Sequence, residues 1–138
     1  LVFRVMPSFD VETRAIYVFD LGDEYIFKQY FEEQDLFEKL QDWYNSGEYR
    51  FEIPPEEFEE VSEILENYYY QPTLVDEIDD FCVVKEQYTE HAEILRNSVA
   101  HWQRQGYNFF LMKDPTSVDQ ATENGATPVE DTDLKAGI

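Results

Sequence analysis

The sequence predicts an α+β domain: a small mixed β-sheet, in the order ββαβαβαβ, with three helices on one face. Three observations predict it. β-Branched and aromatic residues cluster in short runs along the chain. Between these runs lie segments whose apolar residues recur at steps of three and four. Turn-forming residues stand at the junctions.

"TRAIYVFD" (13–20) and "EYIFKQYF" (24–31) flank "LGD" and read as a hairpin. In "QDLFEKLQDWYNSG", Leu36, Leu40 and Trp43 fall at helical spacing, with Phe37 and Tyr44 beside them. Asp35 and Glu38 have the spacing of a capping box, and Asn45-Ser46-Gly47 supplies a stop, so a helix is expected over 35–45. "EYRFEI" (48–53) alternates as a strand does. Pro54-Pro55 ends it and opens a helix over 55–69, because proline is tolerated in a first turn. Its apolar face is Phe58, Val61, Leu65 and Tyr68, and Glu56, Glu59, Glu60, Glu63 and Glu66 take the rest of its surface.

"TLVDEIDD" reads as a loop or short strand, and "FCVVK" (81–85) as a compact apolar strand. Tyr88, Ala92, Leu95, Val99 and Trp102 then continue at steps of four and three. That predicts a long helix over 89–105, ended by Gly106. "YNFFLMK" (107–113) is the last strand. After the first hairpin every strand-to-strand connection carries a helix, which favours parallel pairing. No aromatic residue follows Lys113. The expected domain therefore spans 6–112, and 113–138 is expected as an acidic, largely disordered tail with one short helix over 117–123.

Composition bounds the function. Ten Tyr and eleven Phe in 138 residues give ample core material. The formal net charge is −21, and the ten Lys and Arg are scattered, so nucleic acid and anionic membrane should both be repelled. A partner, if there is one, should be a basic protein. No apolar run reaches the length of a membrane span. The start "LVFRVMPSF" is too short and lacks the cleavage site of a signal peptide, and Met6 offers an alternative start. The single cysteine, Cys82, excludes an internal disulfide and points to a reducing, cytoplasmic setting.

Candidate sites are few. Six glutamates occupy the thirteen positions from Pro54 to Glu66. They admit two readings: a solvated helix face, or an imitation of the phosphate charge of nucleic acid. "NYYYQP" places Tyr68, Tyr69 and Tyr70 in succession. They cannot all face one core, and exposed tyrosine is enriched at interfaces. With Glu59, Glu60 and Glu63 they form the expected partner surface.

Cys82, His91 and His101 are the only residues suited to a nucleophile, a base or a soft metal ligand, but Cys82 stands inside an apolar run. On one helix the two histidines would lie about 15 Å apart along the axis and could not share a metal. Glu86, Glu90 and Glu93 would share a face of that helix, most simply as a solvated one. "DEIDD" (76–80) lacks the glycine and distal glutamate of a calcium loop. No catalytic residue, metal or cofactor is assigned.

The stretch "FCVVKEQYTEHAEILRNSVAHWQRQGYNFFLMKD" resembles uncharacterised acidic haloarchaeal proteins. That resemblance implies adaptation to high salt and carries no function. The expected function is a non-enzymatic accessory or protein-interaction domain. The first alternative is a nucleic-acid-mimicking inhibitor of a DNA-binding protein. The second is a small enzyme or metal protein using Cys82 and His91.

Overall fold

Alternation along Arg14–Asp20 (β1) sends Ile16 and Val18 to one side and Tyr17 and Phe19 to the other, and each side meets its own core. The same division occurs in Cys82–Glu86 (β6), where Cys82 and Val84 face one core and Val83 another. Tyr107–Met112 (β8) likewise splits into Phe109 and Leu111 against Phe110 and Met112. Strands buried on both faces need a layer on each side. The chain supplies four layers.

The computed structural model describes residues 12–137. One five-stranded sheet contains β1, Tyr25–Phe27 (β2), Tyr44–Asn45 (β3), Arg50–Ile53 (β4) and Tyr70–Val75 (β5), in the order β3-β4-β2-β1-β5. β5 runs parallel to β1, and the other pairs are antiparallel. The second sheet is antiparallel and has the order β7-β8-β6-β9, with Ser98–Arg104 as β7 and Thr127–Pro128 as β9.

Gln34–Leu40 (α1) and Phe58–Glu66 (α2) cover the outer face of the first sheet through Leu36, Leu40, Val61 and Leu65. Ala92–Arg96 (α3) and Pro115–Glu123 (α4) cover the outer face of the second through Ile94 and Ala121. Between the sheets, Phe19 and Ile26 meet Cys82, Val99, Phe109 and Leu111. Among the described residues no helix is long and apolar enough to cross a membrane.

The α+β class is as expected, and so is a parallel strand pair, β1 with β5. Five expectations need correction. The strands form two sheets rather than one, and the helices lie on both outer sides. Asp35 and Glu38 form no capping box: α1 is preceded by Glu33 with no side-chain cap, and Asp35 instead accepts from the Tyr68 hydroxyl at 2.6 Å.

The long helix over 89–105 does not form. Five residues, Ala92–Arg96, are helical, and β7 then pairs with β8 through a two-residue turn at Gln105-Gly106, both at positive φ (54° and 83°). That is the geometry of a tight hairpin turn, so Gly106 closes a hairpin where the sequence suggested a helix stop.

The expected disordered tail is also ordered within the described residues. Asp114 caps α4, β9 pairs with β6, and Val129 and Ala136 are buried between the sheets. Met6 and the domain boundary placed there lie outside the described residues.

Candidate interaction surface

The expected partner surface is split by the fold. Glu59, Glu60 and Glu63 are exposed on the outer side of α2, together with Glu56 and Glu66. Glu57 is withdrawn from that face and accepts from the Trp43 indole at 2.7 Å. Of the three tyrosines only Tyr69 is exposed. Tyr70 enters β5 and is buried, and the Tyr68 ring is half-buried.

Tyr68 and Tyr70 show how this surface holds a cation. The Arg14 guanidinium lies 4.4 Å above the Tyr70 ring and also reaches the Tyr70 hydroxyl and the Glu33 carboxylate. The same hydroxyl donates to Glu33 at 3.1 Å. Burial, outweighing the nearby Arg14 charge, holds the Tyr70 hydroxyl above its ordinary range. Lys39 repeats the arrangement: its ammonium is 5.1 Å from the Tyr68 ring, whose hydroxyl donates to Asp35. That hydrogen bond pulls the Asp35 carboxyl below its usual range. In both cases a cation rests on a tyrosine face beside a carboxylate, an arrangement favoured by ring quadrupole and charge together.

A second aromatic surface lies elsewhere, where the chain leaves β2 and passes α1 and β3. A cleft of about 490 Å³ is lined by Lys28, Tyr30, Phe31, Phe37, Tyr44 and Tyr49, with Glu32 among its further neighbours. Tyr30 is 82% exposed and Tyr49 is 66% exposed. Tyr49 stands at φ 57°, a region that costs a bulky L-residue roughly 1–2 kcal/mol.

Lys28 lines the cleft and also borders an adjoining hollow with Tyr49, Leu95 and His101. Its ammonium donates to the Ser98 carbonyl at 3.0 Å, and Arg50 donates to the next carbonyl, Val99, at 3.0 Å. These carbonyls lie where a register shift breaks the β7–β8 ladder, so the two cations tie the sheets together at an irregular edge. Burial, and then the charge of Lys113, lowers the Lys28 pKa.

The cleft was not read from the sequence, although one signal was present. In "EYIFKQYF", Phe27 and Phe31 share one parity and both are core, while Lys28 and Tyr30 share the other. Tyr30 therefore sits on the parity marked by a charged residue.

Cys82 and His91 do not meet. Cys82 packs between the sheets, whereas His91 stands 5.4 Å from Phe110 on the outer face of the second sheet. Burial, with a further push from Asp79, raises the Cys82 thiol to about 12, which disfavours the thiolate that nucleophilic chemistry needs.

His91 and His101 do meet. Because the long helix is absent, their ring centres lie 5.4 Å apart. Glu86, Glu90 and Glu93 are distributed over the end of β6, a loop and α3, and share no helical face. Among the described residues no group of three His, Cys, Asp or Glu side chains is placed to hold a metal.

Comparison with protein-family models, with curated proteins and with solved structures returned no match.

Proposed function

We propose that this chain is a non-enzymatic protein-interaction module whose aromatic cleft receives a cationic segment of a basic partner protein. The observation that carries this reading is the pair of exposed tyrosines, Tyr30 and Tyr49, on the rim of an aromatic cleft in a chain of net charge −21. Tyrosine is a favoured interface residue because a large ring contributes apolar area at low entropic cost. Tyr49 also occupies a backbone conformation that Gly or Asn would take more cheaply, and such strain concentrates at sites of use. The chain's own Arg14–Tyr70–Glu33 and Lys39–Tyr68–Asp35 groups supply the mode of recognition. Tyr30 beside Glu32, and Tyr49 beside Glu48, offer the same ring-and-carboxylate chemistry to an incoming Arg or Lys. The net charge speeds the encounter and makes it sensitive to salt.

A fluorescent hexa-arginine peptide, followed by anisotropy at near-physiological salt, tests the reading. Tyr30→Ser with Tyr49→Ser should weaken binding several-fold, and Glu59→Gln with Glu60→Gln and Glu63→Gln should change it less. The opposite pattern, with loss on neutralising α2 and none on removing the tyrosines, would move the site to the helix face. Competition by the parent chain against duplex DNA for a basic DNA-binding protein would then favour imitation of nucleic acid.

A further inference from the structure

We propose that His91 and His101 form a two-imidazole site for a borderline divalent transition cation, with zinc as the test ion, where the start of α3 meets β7. The distance between the rings fits such a site. With metal–nitrogen bonds of about 2.0–2.1 Å and roughly 1.2 Å from ring nitrogen to ring centre, a tetrahedral angle places two ring centres about 5.3 Å apart. The observed separation is 5.4 Å.

The hydrogen bonds fit as well. His91 Nδ1 lies 2.9 Å from the Thr89 carbonyl oxygen, an obligate acceptor, so its proton belongs on Nδ1 and the Nε2 lone pair is free. His101 Nε2 lies 3.3 Å from the Asn108 side-chain amide, so Nδ1 is the ring nitrogen that this contact leaves open. One ring nitrogen held by an oxygen and the other left as a lone pair is the arrangement that orients metal-bound histidines.

The setting is rigid on one side and open on the other. His101 stacks on Phe110 at 4.8 Å, His91 leans on the same ring at 5.4 Å, and Asn108 is buried in β8. His101 is exposed, so water can complete the coordination that no third side chain among the described residues supplies. Imidazole nitrogen selects copper, nickel and zinc over the hard cations that carboxylates prefer. Lys85, which lines a hollow with His91, is engaged by the carbonyls of Glu90 and Asn124.

The test is calorimetric titration of the full chain with Zn²⁺ in excess Mg²⁺, which occupies the carboxylate background. One Zn²⁺ should bind per chain. His91→Gln and His101→Gln should each weaken it by roughly tenfold or more, and Asn108→Ala by less, because it only orients the ring. Imidazole ¹⁵N resonances of both histidines should shift with zinc and stay unmoved by Mg²⁺. The site is overturned if Mg²⁺ displaces all of the zinc, if binding survives the double His variant, or if only one of the two histidines matters. Thermal midpoints of the variants without metal check that a lost site is not a lost fold.

Discussion

The indole nitrogen of Trp102 donates to the carbonyl oxygen of Ala136 at 2.9 Å. This bond joins the edge strand β7 to the last described residues of the chain, and Val129, Leu134 and Ala136 fill the space between the sheets beside it. Truncation after Asn124 should therefore destabilise the protein. Fully burying one valine is worth roughly 1.5–3 kcal/mol, and the β9 pairing and the Trp102 contact add to it. A fall in thermal midpoint of at least about 5 °C is expected for a chain of this size. A truncated protein that melts within about 2 °C of the parent would show that these contacts contribute little.

The Gln105-Gly106 turn yields a second prediction. Arg104 pairs with Tyr107 across it, and both turn residues have positive φ. Gly106→Ala should cost roughly 1–2 kcal/mol. Nothing lies within 4 Å of the added Cβ, so that cost is conformational and not a collision. Gln105→Asn should instead stabilise, because Asn tolerates the left-handed region. In a helix ended by Gly106, Gln105→Asn would gain nothing, so chemical denaturation of this one variant separates the hairpin from the helix.

The helical spacing of this segment has a physical cause. Val99 and Trp102 are three residues apart and face the same core. In a regular strand they would face opposite sides. The register shift between Ser98 and Ala100 adds a residue to β7 and brings them to one face, so an irregular strand acquires the spacing of a helix. Tyr88 and Leu95, which completed the apparent stripe, are 94% and 41% exposed.

The strands around Ile16–Phe19, Cys82–Val84 and Phe109–Met112 were legible because burial on both faces leaves an unbroken apolar run. The two-sheet layering was not, since a run of that kind gives no sign of which layer covers each face. The tail carries no such run: Val129 and Ala136 are isolated small apolar residues whose burial depends on packing against Trp102 and the other sheet. The histidine pair depends on the same hairpin that replaces the helix, and the cleft is assembled from separate segments between Lys28 and Tyr49.

Asp114 carries a pH-dependent share of stability. Its carboxylate accepts from the Ser117 amide at 2.7 Å, at the start of α4, and pairs with Lys113 at 3.2 Å. Burial pushes this carboxyl up, but the Ser117 hydrogen bonds and the Lys113 charge outweigh it and hold the pKa below the ordinary value. A depressed folded-state pKa means that the contribution is complete above the unfolded value of about 3.9 and is lost as pH falls through the lower folded value. Asp114→Ala should cost about 1 kcal/mol near neutral pH. The gap between parent and variant should close below about pH 4. Urea midpoints measured across that range would refute the linkage if the gap stayed constant.

The glutamates of α2 make the last prediction. Glu59 and Glu63 are four apart and Glu63 and Glu66 three apart, on an exposed face with no basic residue in the helix's last turn. Like charges at these spacings lie about 5–6 Å apart and destabilise by roughly 0.2–0.5 kcal/mol per pair. Position matters as well. Glu59 and Glu60 stand in the first turn, where the helix dipole favours a negative charge, whereas Glu63 and Glu66 approach the end that repels it. Glu63→Gln with Glu66→Gln should therefore stabilise the protein at low salt by roughly 0.5–1 kcal/mol. Glu59→Gln with Glu60→Gln should do little. The Debye length shrinks from about 10 Å at 0.1 M salt to about 3 Å at 1 M, so the advantage of the first pair should vanish as potassium chloride is added. Over the same range the parent's own midpoint should climb, as an adaptation to high salt requires. A parent midpoint flat in salt would remove the case for that adaptation. Equal effects from the two pairs would show that overall charge, and not placement on the helix, sets the repulsion.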